Sequence, residues 1–445
     1  MAASRRYQTV MIIDPWEYRG FCFRGEGRRN LVVSAKHEKE DLRIVWRLTK
    51  DKRARIVAFN SNSELLIKYI RSYVLPLVNP HFFNEPRLVN MHFNDLIHIS
   101  KIPLLPHNQK VDSFSELCDN IRFPLSLFPL DYRSRSEFVL QMPDATRMPK
   151  KIFSNLVMYG PTLTVEIKPK QGFYQKHHGV NLPFCNNCIL QLEKTQSKEF
   201  CRMYDFCPLE LYSGEFPRMM DALISLFKNP HRNLRLFRDG DCVYDDQSDF
   251  SDLRRLDNQI FPGQNNSINL LLSLLCYALA GVRASDEPFY LHENSILATL
   301  LKAQRVDSIG IVKAKEIYDR QPQEVKEQLM DESNLLQKDG AKLFTSNDER
   351  SLLERYFVAA TMKDCSLMIN CRLVRGPTVF TDESPSSRLI RIETNADPLY
   401  FAVHVQVVDL DPKLPRNLLN AHQRFMNGVQ IINNTPGIHK PCHIH

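Results

Sequence analysis

Two lysines follow a predicted strand in the second quarter of the sequence. Residues 155–168 (NLVMYGPTLTVEIK) have strand-like composition and are broken at Gly160-Pro161, which predicts two strands. Glu166 lies at the end of the second strand, and Lys168 and Lys170 follow it, separated by a proline. Residues two apart point to the same side of an extended chain. The pattern therefore predicts either two converging ammonium groups that bind a phosphate compound, or a solvated lysine face.

A second candidate phosphate site is a glycine pair near the N-terminus. Gly25, Glu26 and Gly27 lie between two predicted strands, and Asn30 begins the second of them. Glycines at a tight turn allow backbone amides to approach a phosphate closely. An ordinary hairpin turn has the same composition, so both interpretations stay open.

Several cysteines have the spacing of a metal site. Cys185 and Cys188 form a C-x-x-C pair, Cys207 lies nineteen residues after it, and His178 lies seven residues before it. Both thiolates of a C-x-x-C turn fall on one side, and three cysteines with one histidine complete a tetrahedral zinc site. We predict a structural Zn²⁺ bound by His178, Cys185, Cys188 and Cys207. Reduced core thiols or a redox pair are the other interpretations, and the alternative ligands are His177 and Cys201.

The chain termini suggest neither secretion nor a further metal site. The first twenty residues have a basic start but an apolar run of only four, unlike a signal peptide. We therefore expect the eleven cysteines to be reduced, in the cytoplasm and nucleus. The tail has four potential ligands, but chain ends are commonly disordered. We expect a disordered end at His439, Cys442, His443 and His445.

The elements that must position these residues form a strand-rich N-terminal third and a mainly helical remainder. Composition predicts strands at 8–13, 30–34, 42–48 and 137–141, and a helix at 61–74. After a break at 143–145, helices are predicted at 215–227, 267–281, 294–304, 310–320, 322–332 and 348–361. Strands return at 366–373 and 400–408. This α+β order is the layout of a two-lobed kinase.

Length and composition exclude several classes of protein. At roughly 150 residues per domain, 445 residues predict two to three domains or lobes. A content of 43% hydrophobic and 24% charged residues argues against a disordered chain. The net charge of +7 fits a local anionic site but is too small to indicate nucleic-acid binding. The longest apolar stretch, residues 268–282, is too short for a membrane span and predicts a buried helix.

Six blocks in order resemble the inositol-pentakisphosphate 2-kinase family. The clearest is EIKPKQGF at 166–173, which resembles the family's EIKPKCGF. The spacing of His178 and the three cysteines resembles that of the family's animal members. The other five blocks are GEGRRN at 25–30, CPLELYSG at 207–214, RNLRLF at 232–237, TMKDCSLMI at 361–369 and VDLDPK at 408–413.

The resemblance implies a fold and an activity. The fold would be a two-lobed, kinase-like α+β fold. Its sheet-rich, nucleotide-binding N-lobe would occupy residues 1–150. Its larger helical C-lobe, at 151–445, would include an inositide-binding region and the zinc knuckle at about 177–207. The activity would be ATP-dependent phosphorylation of the 2-hydroxyl of inositol 1,3,4,5,6-pentakisphosphate, giving the hexakisphosphate (phytate). The cofactors would be ATP, Mg²⁺ and a structural Zn²⁺, and the partner would be this inositol polyphosphate. We expect no nucleic-acid or membrane partner, and we expect a monomer.

The resemblance also implies a role for each matching residue. Asp364 would orient the attacking hydroxyl or accept its proton, Lys168 would neutralise charge on the transferred group, and Asp409 would bind Mg²⁺. The nucleotide would contact Gly25, Glu26, Gly27, Asn30, Arg47 and Glu166. The inositide would contact Lys170, Lys194, Asn233, Arg235, Lys413 and, with less support from the alignment, Arg133.

The sequence departs from the family pattern at positions that bear on specificity. Leu190 replaces a histidine, Asn186 an arginine, and Arg232 an asparagine. The basic and aromatic residues after the family's last block have no obvious match. Candidates are Arg416, His422 and Arg424. These differences leave two alternatives open, a kinase of different positional specificity and a catalytically weak inositol-phosphate-binding scaffold. A zinc-dependent nucleic-acid protein is a third and more remote possibility.

Overall fold

The computed structural model divides the chain into two compact units. One comprises Met1–Lys68 with Asn84–Ala145, and the other comprises Tyr69–Phe83 with Thr146–His445. The residues described are 11–26, 30–39, 42–49, 59–92, 110–113, 136–149, 151–199, 205–248, 250–285, 287–331, 339–376, 380–394, 397–435 and 437–444.

A seven-stranded sheet forms the first unit. Its strands lie in the order β1-β5-β7-β4-β3-β2-β6, with β1 parallel to β5 and the other neighbours antiparallel. The indole nitrogen of buried Trp46 donates to Gln141 at 3.0 Å, and buried Asp144 accepts from Arg24 and Ser34 at 2.7 Å each. The strands are β1 (Met11–Ile13), β2 (Tyr18–Glu26), β3 (Asn30–His37), β4 (Arg43–Thr49), β5 (Arg87–His92), β6 (Lys110–Ser113) and β7 (Ser136–Pro143).

A six-stranded antiparallel sheet is the centre of the second unit. The order is β10-β9-β8-β11-β13-β12. Among its strands, β11 and β13 are buried along most of their length, and β8 along half of it. The strands are β8 (Met158–Ile167), β9 (Leu234–Arg238), β10 (Asp241–Tyr244), β11 (Ser366–Val374), β12 (Ser387–Ile392) and β13 (Leu399–Val408).

Most of the described helices belong to the second unit. Helix α1 (Phe59–Tyr69) continues as a π-helical turn at Ile70–Val74. The helices of the second unit are α2 (Asn186–Gln196), α3 (Pro208–Leu211), α4 (Phe216–Lys228), α5 (Phe250–Ile260), α6 (Ser267–Ala280), α7 (Ile296–Gln304), α8 (Gly310–Arg320), α9 (Gln323–Met330), α10 (Gly340–Thr345), α11 (Glu349–Met362) and α12 (Pro415–Asn434).

The predicted α+β class is confirmed, with one correction to the strands. Residues 155–168 were expected to form two strands, but β8 passes through Gly160-Pro161 without a break. Gly160 has a φ of +68°, so glycine accommodates the irregularity inside a single strand. Helix α6 is the buried helix predicted from the apolar stretch. No helix within the described ranges has both the length and the apolar character needed to cross a membrane.

Candidate active site

The loop after β8 places two lysines against two aspartates. The ammonium nitrogen of Lys168 lies 3.0 Å from Asp409 Oδ2, and that of Lys170 lies 3.0 Å from Asp364 Oδ1. The expectation that both lysines leave a fully extended chain is wrong, because Lys170 has a φ of +60°. The lysines nevertheless converge on one carboxylate cluster.

Asp364 is held between two ammonium groups. It lies in the short connection between α11 and β11, and Lys413 approaches its second oxygen at 2.6 Å. Burial by itself would raise the pKa of this carboxyl, but Lys170, Lys413 and Lys168 outweigh burial and hold the pKa well below its usual range. The side chain is still 42% exposed, so an ionised oxygen can meet a ligand.

Asp409 follows the last residue of β13 directly. Its φ of +64° is a conformation that residues other than glycine rarely adopt, and such strain is concentrated at functional sites. Burial would lower the pKa of Lys168, but Asp409 and Asp364 outweigh burial and raise it. Lys168 therefore stays protonated, and its ammonium group donates to the carboxylate of Asp409 at 3.0 Å and to the backbone carbonyl of Asp364 at 3.5 Å.

A cavity opens beside this cluster and contains most of the predicted phosphate-binding residues. Arg235 lies 3.6 Å from Glu166, which also accepts a hydrogen bond from Ser366 at 2.9 Å. Burial, followed by the charge of Lys170, lowers the pKa of Lys194 to about 8. The lining residues are Glu166, Lys168, Lys170, Lys194, Glu199, His231, Arg232, Asn233, Leu234, Arg235 and Asp409.

A second cavity adjoins the first and shares Lys170 and Lys194 with it. Helices α2, α11 and α12 line this cavity, together with Asp364 and Lys413. Arg424 lines it too, whereas Arg416 and His422 do not, so Arg424 is the candidate that reaches the site. Asn186 and Leu190, two of the departures from the family pattern, also face this cavity.

Gln304, the last residue of α7, connects the two loops that carry the cluster. Its fully buried side chain donates to the backbone carbonyls of Lys170 at 2.8 Å and Met362 at 3.2 Å. It also accepts from the backbone N–H of Gly172 at 2.9 Å. At Gly172 an added Cβ would lie 2.4 Å from the ring of Tyr212, so only glycine fits there. Sequence reasoning missed Gln304 because no motif or spacing distinguishes it.

Four cysteine sulfurs gather at the N-terminus of α2. The Sγ atoms of Cys185, Cys188, Cys207 and Cys442 all lie within 4.8 Å of one another. Hydrogen bonds from the other three thiols lower the pKa of the Cys442 thiol, which favours a thiolate in the cluster. The geometry is that of a four-cysteine site, and three of its members are those predicted from spacing.

His178, predicted as the fourth ligand, is not part of this cluster, whose fourth member is Cys442 instead. His178 is exposed and outside the cluster, while the alternative, His177, instead hydrogen-bonds Asn186 at 2.8 Å. The tail was expected to be disordered, but the N–H of Cys442 donates to the carbonyl of Pro183 at 2.9 Å. The second alternative ligand, Cys201, lies outside the described residues.

The predicted nucleotide residues of the N-terminal third belong to the first compact unit. Gly25 and Glu26 are the last residues of β2, which pairs with β3, where Asn30 is the first residue. Arg47 lies on β4 between Val32 of β3 and Leu140 of β7. Gly27 and Arg133 lie outside the described residues.

Comparison with known proteins finds one family. A family model described as inositol-pentakisphosphate 2-kinase matches residues 23–424. A zebrafish (Danio rerio) protein named inositol-pentakisphosphate 2-kinase is 24% identical over 91% of both chains. The protein of that name from Drosophila melanogaster is 31% identical over 135 residues, 24% of this chain and 22% of its own. That from Arabidopsis thaliana is 23% identical over 64% of each chain.

Proposed function

The chain belongs to the inositol-pentakisphosphate 2-kinase family, and we propose that it transfers the γ-phosphoryl group of ATP to the free 2-hydroxyl of inositol 1,3,4,5,6-pentakisphosphate. The products are inositol hexakisphosphate and ADP. The observation that supports this function best is the carboxylate of Asp364, held between Lys170 and Lys413 at the edge of a cation-lined cavity. One ionised oxygen acceptor among cations is what attack by a hydroxyl of a highly anionic substrate requires.

Each residue of the site is assigned a separate role in the reaction. Because its pKa is depressed, Asp364 is a weak base, so we assign it to orienting the 2-hydroxyl and accepting its proton late in the transfer. Lys168, which stays protonated, neutralises charge on the transferred phosphoryl group. Lys170, Lys194, Asn233, Arg235 and Lys413 bind phosphates of the inositide.

Asp409 fits the requirements of a magnesium ligand. Mg²⁺ is usually bound by one or two carboxylates together with nucleotide phosphates. Asp409 presents a 47% exposed carboxylate to the cavity, beside the ammonium group of Lys168. When bound, Mg²⁺ would neutralise charge on the nucleotide phosphates. Glu166 is assigned to the nucleotide, as are Gly25, Glu26, Gly27, Asn30 and Arg47 of an N-lobe at 1–150. Residues 151–445 would form the C-lobe.

The direct test is product analysis. The full chain is incubated with labelled ATP, Mg²⁺ and the pentakisphosphate, and products are resolved by anion-exchange chromatography. We expect labelled hexakisphosphate in equal amount to ADP. ADP without hexakisphosphate would show hydrolysis instead and would refute the proposed function.

Substrate affinity should depend on pH through Lys194. With a pKa of about 8, this lysine is charged below pH 8 and neutral above it. Since phosphates bind the charged form, KM for the inositide should rise above pH 8, by up to about tenfold per pH unit. Lys194→Arg, which stays charged, should remove this rise, and titration of the substrate's own phosphates affects both proteins equally. The assignment is wrong if KM follows the same pH curve in both.

Replacement of Gln304 should disturb both substrate-facing loops. Gln304→Met keeps the volume but removes every hydrogen bond of the side-chain amide, so kcat/KM for the inositide should fall by about 10- to 100-fold. Gln304→Glu keeps an acceptor for Gly172 but sets its second oxygen against the carbonyls of Lys170 and Met362, so it should lose at least as much activity. Gln323→Met, in the exposed part of α9, is the control for loss of a glutamine. Parent-like kcat/KM in Gln304→Met would contradict the positioning role.

We further propose that the four cysteines bind a structural Zn²⁺. A tetrahedral site with Zn–S bonds of about 2.3 Å separates its sulfurs by about 3.8 Å. The sulfurs of Cys185 and Cys207 lie 4.0 Å apart, close to that value. The ion would link the start of α2 to the segment after α12 and so contribute folding free energy.

Cys442→Ser should therefore lower both zinc content and thermal stability. The parent should contain one equivalent of zinc by elemental analysis, and the variant much less, with a lower Tm. Cys276→Ser, at a buried thiol of α6, is the control, since it should lower Tm without loss of zinc. A Cys442→Ser protein with a full equivalent of zinc would show that Cys442 is not a ligand.

The last two proposals concern the cellular compartment and the oligomeric state of the enzyme. The eight cysteines whose side chains the structure describes are free thiols. Such a composition fits a reducing compartment, and we propose the cytoplasm and nucleus. We propose a monomer whose partner is its small-molecule substrate.

A further inference from the structure

Thr361, in the last turn of α11, joins the two segments that carry Asp364 and Asp409. Its backbone carbonyl accepts from the N–H of Asp364 at 3.1 Å. Its hydroxyl donates to the backbone carbonyl of Asp411 at 2.9 Å, two residues after Asp409. Thr361 is fully buried, so water cannot replace this donor. One threonine therefore ties together the two stretches of backbone that carry the carboxylates of the site.

The carbonyl that Thr361 holds lies in the middle of the segment 409–413. Asp409 begins this segment, and Lys413 ends it and contacts Asp364 at 2.6 Å. The φ of +64° at Asp409 is a conformation that costs free energy and persists only where the surroundings fix it. A displacement at the middle of the segment would move both of its ends. The hydrogen bond from Thr361 is thus placed to hold the whole segment against Asp364.

A second hydroxyl, that of Tyr69, bears on where Thr361 directs its proton. Thr361 faces the Asp411 carbonyl at 2.9 Å and, at 3.5 Å, the carbonyl of Phe357 one turn earlier in its own helix. The hydroxyl of Tyr69 lies 2.9 Å from Thr361 Oγ1. Burial raises the pKa of Tyr69, so its hydroxyl stays protonated and can donate to Thr361. Accepting this bond makes Thr361 a better donor, which favours the shorter contact with Asp411.

Tyr69 is itself fixed by packing. It is the last residue of α1, and the chain continues as the π-helical turn. Its ring lies 5.7 Å from that of Tyr73, between centroids. Helix α10 begins against this turn, because a Cβ added to Gly340 would overlap the carbonyl of Ser72. All residues of this hydrogen-bonded chain belong to the second compact unit, so the chain lies within one unit.

Resting on the function proposed above, we propose that Thr361 and Tyr69 are positioning residues for the phosphoryl transfer. Tyr69 acts through the hydroxyl of Thr361, and Thr361 sets the position of the segment 409–413 relative to Asp364. Neither side chain lines either of the two cavities. Because displacement of reacting groups by about 1 Å can cost about 10²-fold in rate, the pair acts on the chemical step. It also acts on Mg²⁺-nucleotide binding through Asp409, and less on inositide binding, which several other cations share.

The test measures the chemical step by single-turnover kinetics and the affinities for Mg²⁺-ADP and the pentakisphosphate by calorimetry. Thr361→Val keeps the shape but removes the hydroxyl, so the chemical step should slow by about 10- to 100-fold. The affinity for Mg²⁺-ADP should fall by about three- to tenfold, and that for the pentakisphosphate less. Thr361→Ser keeps the hydroxyl and should stay within about threefold of the parent. Tyr69→Phe, which removes one oxygen atom, should slow the chemical step by about three- to tenfold.

Tyr244→Phe is the matched control. The hydroxyl of buried Tyr244 donates to the carbonyl of Phe227 at 2.6 Å, and Tyr244 lines neither cavity. This variant also loses a buried tyrosine hydrogen bond, so it should lower Tm. It should leave the chemical step and the affinity for Mg²⁺-ADP unchanged. Both quantities are properties of the folded molecules, so a loss of stability alone does not move them.

The double variant Tyr69→Phe/Thr361→Val tests whether Tyr69 acts through Thr361. It should be no slower than Thr361→Val alone, and two effects that multiply would overturn this order of action. A parent-like chemical step in Thr361→Val, or a slow step that Thr361→Ser does not restore, would overturn the positioning role. If Thr361→Val does not fold, a parent-like chemical step in Tyr69→Phe would overturn it. A parent that makes no hexakisphosphate would refute the proposed function instead.

Discussion

Replacing Asp364 with asparagine should reduce turnover by about 10²-fold or more while both substrates still bind. Asparagine keeps the shape of the side chain but loses the charged acceptor for the 2-hydroxyl proton. Lys170 and Lys413 lose the carboxylate that both now contact, so their charge becomes available to the substrate's phosphates. The affinity for the inositide should therefore be kept or increased.

Single-turnover kinetics would give the rate of the chemical step, and calorimetry would give the affinities for the nucleotide and for the inositide. Asp411→Asn is a matched control, because it removes one negative charge from the same segment as Asp409 but lines neither cavity. Near-normal turnover in Asp364→Asn would contradict the assigned role. A selective loss of inositide affinity would show instead that Asp364 serves only to organise the lysines.

Asp409→Ala should weaken binding of Mg²⁺-nucleotide by about tenfold and reduce turnover by about 10²-fold or more. The carboxylate would bind Mg²⁺ at the nucleotide phosphates and it also balances the charge of Lys168 at 3.0 Å. Its removal leaves the ion short of a ligand and the lysine without its nearest counter-charge. The inositide affinity should change much less.

Titrations with and without Mg²⁺ distinguish a metal ligand from a general effect on the cavity. The parent should bind ATP more tightly with Mg²⁺ than without it, and Asp409→Ala should lose most of this difference. Lys168→Ala is the companion variant, which should act mainly on turnover because that charge is needed in the transition state. If Asp409→Ala binds Mg²⁺-ATP as tightly as the parent does, the metal assignment is wrong.

Much of the fold could be predicted from local patterns in the sequence. Helix α8 was predicted with its observed bounds. Its apolar residues recur with a period of 3.6 residues, which starts at a glycine and stops where the composition of the sequence changes. Helix α6 was recognised as buried from its apolar content. The break predicted at Gly160-Pro161 was wrong, because β11 pairs with β8 both before these residues, at Tyr159, and after them, at Leu163, and so holds them in one strand.

The site was predictable where it depends on motifs and hidden where it depends on tertiary packing. Two lysines after a strand suggested a phosphate site, but the contact with Asp364 joins residues 194 positions apart. Cys442 lies 257 residues after Cys185, and although the tail contains potential metal ligands, no spacing in the sequence links Cys442 to the start of α2. Gln304 acts through backbone groups, which leave no pattern of side chains in the sequence.

The central claim is transfer to the 2-hydroxyl, and a comparison of two pentakisphosphate isomers tests it most directly. The full chain is given ATP and Mg²⁺ with inositol 1,3,4,5,6-pentakisphosphate, whose free hydroxyl is at position 2, or with inositol 1,2,3,4,6-pentakisphosphate, whose free hydroxyl is at position 5. We expect the first to be converted to hexakisphosphate with one ADP released per molecule, and the second to be converted far more slowly. No hexakisphosphate from the first isomer, or equal rates with both, would contradict the account.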